Sequence, residues 1–84
     1  MKDEVFLNGI VLSTTSDSLM IKILNDREII YKVLPKTRFG LVQNTGNEIL
    51  ELPGYQLGIV EKGNTVWVRL DQYEQIDQIL IFKL

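Results

Sequence analysis

The chain has 84 residues, 45% hydrophobic and 24% charged, with nine basic and eleven acidic side chains for a net charge of −2. That length supports one domain around one modest core. Cysteine and histidine are both absent, which excludes disulfides, thiolate nucleophiles, Cys- or His-based metal sites and the commonest general base.

In chain order, the start "MKDEVFLNGIVLS" is charged and then apolar, interrupted by Asn8 and Gly9. No run approaches the ~18–20 apolar residues of a membrane span, and no small-residue cleavage site follows. A soluble chain with no signal peptide and no membrane insertion is therefore expected, its compartment left open. Phe6–Thr14 reads as a first strand with a bend or bulge at Gly9. "TTSDS" is a turn. Ser18–Leu24 alternates, with Leu19, Ile21 and Ile23 on one face and Ser18 and Lys22 on the other. "NDRE" is a tight turn, and Glu28–Leu34 returns with Ile29, Tyr31 and Val33 inward.

Pro35 ends that strand, since proline cannot donate to a ladder. "KTRFGLV" is expected as a short edge segment and "QNTGNE" as a loop or hairpin tip. Glu48–Leu52 reads as a short strand, followed by a crossing loop or a single helical turn. Asn64–Asp71 and Ile76–Lys83 form a second hairpin around "QYEQ".

Five or six short Val- and Ile-rich strands with no helix between them predict an all-β fold. We read residues 1–84 as one small β-barrel domain, which a longer chain could carry as a module. An OB-like strand order is the first choice and an SH3-like order the second, because closure hides edges that so short a chain cannot otherwise cover.

The order "NGIVLS", "DSLMIKI", "IIYKVLPKTRF", "LELPGYQL", "EKGNTVWVRL" and "IDQILIFKL" resembles the small OB-like β-barrel domains of unknown function in bacterial envelope and surface-layer proteins. Gly9, Thr37, Leu57, Gly63, Val66 and Val68 carry the likeness. It implies a barrel with a non-catalytic accessory role, and it brings no functional residues with it.

Asp71, Glu74 and Asp77 cluster at the last turn, but without histidine or calcium-loop spacing they read as a solvated turn. Gly54, Gly58 and Gly63 lack the Lys-Ser/Thr of a phosphate loop. No catalytic, cofactor or metal residues are assigned. A hydrolase built on a carboxylate pair is the third reading in order.

Two surfaces remain. Lys22, Lys32, Lys36 and Arg38, with Phe39 or Tyr31, form a basic and aromatic stretch that a nucleic-acid-binding barrel could use. Tyr31, however, shares the phase of Ile29 and Val33 and reads as core. The local basic excess is also small, and the region from residue 48 onward is acidic in balance. Trp67 is out of phase with Val66, Val68 and Leu70. Both faces of "QILIFKL" are apolar: with Ile79 and Ile81 inward, Trp67, Arg69, Leu80 and Phe82 make a candidate patch, and in the other register Ile79 and Ile81 stand beside Trp67. The connector around Leu52 and Leu57, a partner protein or a second copy could cover it. The leading expectation is a non-enzymatic structural or protein-interaction module, and nucleic-acid binding through residues 22–38 is the alternative.

Overall fold

The computed structural model describes residues 5–43 and 48–82. Seven strands follow one another: β1 Val5–Thr14, β2 Ser18–Lys22, β3 Glu28–Lys32, β4 Arg38–Gln43, β5 Glu48–Leu52, β6 Thr65–Leu70 and β7 Ile76–Phe82. Two 3-10 turns, Leu24–Asp26 and Leu57–Ile59, are the only helical elements among the described residues. The tip expected around residues 44–47, the charged start at Asp3 and Glu4, and Lys83 lie outside the described residues.

The strands form one sheet in the order β3-β2-β1-β6-β7-β4-β5. Every neighbouring pair is antiparallel except β4 and β7, which run parallel. The β2–β3 and β6–β7 hairpins follow the sequence reading. The NDRE turn takes positive φ at Asn25 and Asp26, a conformation that Asn and Asp tolerate better than most residues. At the other hairpin Asp71 Oδ1 accepts the backbone N–H groups of Tyr73 at 2.8 Å and Gln75 at 3.0 Å, which holds the turn.

Two expectations need correction. The described strands number seven rather than five or six, and the sheet is not closed into a barrel: β3 and β5 are each bonded along one side only. The strand count rises because the segment after Pro35 is a full strand, β4, in addition to the six others. The segment expected at an edge is an interior strand, β4, bonded to β5 on one side and β7 on the other. Its residues explain the placement: Phe39 and Val42 are both buried although they point to opposite faces, as a strand covered on both sides requires.

The open sheet is strongly curled. From Lys32 to Arg38 the chain spans at most about 20–22 Å, yet β3 and β4 stand five strand spacings apart, about 24 Å in a flat sheet. The molecular extents, 31 × 29 × 26 Å, are those of a rolled sheet and not of a flat one. Its inner face encloses a single core of Val11, Leu19, Ile21, Val33, Phe39, Leu57, Val60, Val66, Val68, Ile76, Ile79 and Ile81. Ile23 and Ile29, also expected inside, are half-buried.

Gly9 is buried for a reason of space. A Cβ there would sit 3.0 Å from the Lys22 carbonyl oxygen and 3.2 Å from Ile21 Cδ1, so β2 lies too close to β1 at this residue for a side chain. The bulge itself falls two to three residues later, between Val11 and Ser13.

The connector after β5 folds onto the mouth of the curled sheet. Leu57 and Val60 enter the core, and the Tyr55 ring packs edge-on against Phe39 at 5.7 Å. Its hydroxyl donates to the carbonyls of Ser16 at 2.9 Å and Val33 at 3.3 Å. Thr37, buried at the start of β4, donates to the Ile76 carbonyl at 3.3 Å and joins β4 to β7.

Candidate functional site

Strand alternation decides which side chains leave the core. Val66 and Val68 are fully buried, so Trp67 between them points outward and is 40% exposed. Asn8 of β1 and Leu80 of β7 lie directly opposite it across the two ladders. Phe6 and Phe82 sit diagonally, with ring centroids 6.1 Å and 5.2 Å from the Trp67 ring and tilted geometries in both cases. Such tilted pairs match the preferred edge-to-face contacts of aromatic rings.

The register with Ile79 and Ile81 inward therefore places Leu80 and Phe82 beside Trp67. Leu80 is only 5% exposed although it lies on this outer face. Gly40 explains it: the Leu80 and Ile49 side chains reach over the glycine, where a Cβ would meet them at 3.0 Å and 3.2 Å. The apolar surface runs from Ile10 and Phe6 through Trp67 and Phe82 to Ile49. Exposed Phe6, Ile10 and Ile49 were not singled out in the sequence. Both phases of "VFLNGIV" are apolar, so periodicity alone could not orient Phe6.

The connector expected as one cover for Trp67 lies elsewhere. Leu57 is buried in the inner core and Leu52 packs against it, so neither screens the outer face.

Arg69 stands between Phe6 and Gln78 in the ladder. Its Nε donates to Asp77 Oδ2 at 3.0 Å, and one of its terminal nitrogens donates to the same oxygen. Arg38 approaches that oxygen from β4 at 3.5 Å. Asp77 is the residue the β6–β7 ladder skips, since Arg69 faces Gln78 while Leu70 faces Ile76. The three residues form a charged border to the aromatic patch. The Arg69 hydrogen bond is the main cause that holds the Asp77 carboxyl below the usual carboxylate range, against the opposing effect of its desolvation.

A group with a lowered folded pKa contributes stability above its unfolded value of about 3.9 and loses it as pH falls through the folded value. The stability difference between the wild type and Asp77→Asn should thus be largest near neutral pH and shrink as pH falls below the ordinary carboxylate value of about 3.9. Urea midpoints measured from pH 7 downward check this. A difference independent of pH would show that the ion pair contributes nothing.

The register keeps Lys22 and Lys32 of the basic stretch on the outer face of the β2–β3 hairpin, but its aromatic residues are not free beside them. Phe39 is fully buried and cannot stack on a base from where it stands. Tyr31 packs against the core, and burial followed by the Glu74 carboxylate pushes its phenol up. Lys22 lies 3.7 Å from Asp26 and Arg38 shares Asp77 with Arg69, while Lys32 and Lys36 are exposed.

An open groove of about 630 Å³ runs between Phe6–Ile10 and Lys22–Asp26. No buried side-chain nitrogen or oxygen is left without a partner among the described residues, so no such group in the groove specifies a ligand. Of the turn carboxylates, Asp71 serves the backbone and Asp77 the two arginines. No cluster of three potential metal ligands occurs among the described residues. No helix among them is long and apolar enough to cross a membrane.

Compared with protein-family models, with curated proteins and with solved structures, the chain finds no match in any of the three.

Proposed function

We propose that the chain is a non-enzymatic interaction module that docks a protein partner on the outer face around Trp67, Phe6, Leu80 and Phe82. One observation carries the reading: three aromatic rings cluster on a sheet face that the connector does not cover. The exposed parts of these rings with Ile10 and Ile49 amount to a few hundred Å², the size at which apolar surface marks a contact site. That is about half of what each partner contributes to a standard interface. The Arg69–Asp77–Arg38 group supplies a polar rim.

The proposal includes an OB-like course for the sheet. In its support, β1 bridges β2 and β6, and the strand run broken at Pro35 meets β2 with its first half and lies parallel to β7 with its second. The likeness to small barrel domains of bacterial envelope and surface-layer proteins belongs to the same proposal, as an accessory role.

The test pairs selection of binders from a displayed peptide library with titration of a labelled oligothymidylate near physiological salt. Apolar peptides that lose binding to Trp67→Ala are expected, along with no sub-micromolar binding of the oligonucleotide. Trp67 is the only tryptophan, so its emission should shift to the blue as a peptide docks. Selected peptides indifferent to Trp67→Ala would remove the site. Tight oligonucleotide binding abolished by Lys32→Glu would put the nucleic-acid reading first.

A further inference from the structure

We infer that β3 is a self-association edge, through which two copies of the chain pair antiparallel about Ile30. The strand reads "EIIYK", and β2 is its only ladder partner among the described residues. Two backbone bonds fix which of its amides are used. Val33 N–H donates to the Asp17 carbonyl at 2.7 Å and Ile23 N–H to the Arg27 carbonyl at 2.8 Å. Hydrogen-bonded pairs alternate along an antiparallel ladder, so in this register Tyr31 and Ile29 bond to β2. The N–H and C=O groups of Glu28, Ile30 and Lys32 therefore point away from the sheet.

The side chains of those same three residues share the outer face. Ile30 is 63% exposed, and Glu28 and Lys32 are exposed on either side of it. Neither charge has an ion-pair partner among the described residues. Rotating a second copy by a half-turn about Ile30 sets Ile30 against Ile30, Glu28 against Lys32 and Lys32 against Glu28. It also brings the outward amides into about six backbone hydrogen bonds. The same edge in parallel would put each charge beside its own copy, which is unfavourable.

Edge charges commonly serve to block pairing, but a five-residue edge with opposite charges at its two ends blocks only the parallel arrangement. The antiparallel one is self-complementary, which is what a two-fold interface needs. The surface is separate from the Trp67 face, and the inference goes beyond the docking role proposed for that face.

The test is sedimentation of the full chain from about ten micromolar to about a millimolar. A concentration-dependent dimer is expected. Lys32→Glu and Glu28→Lys should each weaken it at least about tenfold, because both cross-strand pairs turn repulsive. An equimolar mixture of those two variants should form a heterodimer about as tight as the wild-type dimer, since mixing restores both pairs. Ile30→Pro, which removes an outward N–H at an edge where proline is tolerated, should leave a folded monomer by circular dichroism. A chain that stays monomeric throughout, or charge variants that dimerise as well as the wild type, would overturn the inference. A dimer lost on Trp67→Ala but kept in the edge variants would overturn it too, while leaving the Trp67 reading intact.

Discussion

Truncating Phe39 to alanine is expected to cost about 3–5 kcal/mol, the upper range for a buried aromatic. The ring is fully buried on β4, with Ile79 beside it on β7 and Leu52 on β5. It also supports the Tyr55 ring, whose hydroxyl ties the connector to the β1–β2 turn and to the end of β3. Removing it empties a cavity and loosens the segment that fills the mouth of the curled sheet. A domain of 84 residues has a total stability of about 4–13 kcal/mol, so the variant stands near the threshold of folding. Its melting temperature should fall by about 12 °C or more. A loss below about 1 kcal/mol in urea unfolding would return Phe39 to the surface, where a base-stacking role requires it.

The second large effect is expected at Ile21. Ile21→Ala should cost about 2–4 kcal/mol, and Val68→Ala somewhat less because fewer atoms are removed. Both residues are fully buried and lie two strands apart in the sheet order. Ile21 has a specific neighbour in Gly9, where an added Cβ would fall 3.2–3.3 Å from its side chain. Gly9→Ala should therefore be less costly in the Ile21→Ala background than in the wild type, by at least about 0.5 kcal/mol. Only the Cδ1 contact at 3.2 Å is relieved, since alanine keeps the Cβ at 3.3 Å, and this with the Lys22 carbonyl at 3.0 Å keeps the double variant below Ile21→Ala alone. Urea unfolding of the four proteins measures the coupling. Losses under about 0.5 kcal/mol at both Ile21 and Val68 would contradict the inner face assigned to β2 and β6.

The two hairpins and their inward faces were legible in the residues. Leu19 and Ile21 stand between Ser18 and Lys22, and Val66 and Val68 between Thr65 and Arg69, and a period of two is a local property of the backbone. Trp67 is outward by the same rule, but Leu80 and Phe82 stand beside it only in the register that turns Ile79 and Ile81 inward, and both phases of that strand are apolar. The end of the first hairpin was legible too, since Pro35 removes a donor whatever surrounds it.

What lay beyond local pattern was decided by tertiary structure. "RFGLV" is apolar on both phases and offers no sign of its neighbours. Its place between β5 and β7 depends on a parallel pairing with residues 40 positions later in the chain. That pairing took Phe39 from the basic stretch into the core and brought Gly40 beneath Leu80. The two faces of β1 were likewise indistinguishable until β6 paired with it and turned Phe6 toward Trp67. Period and composition determined that a face around Trp67 would exist, because alternation is imposed by each strand's own backbone. Which residues complete that face, and whether the connector screens it, depended on how a curled sheet brings distant strands together, and that is set by packing across the whole chain.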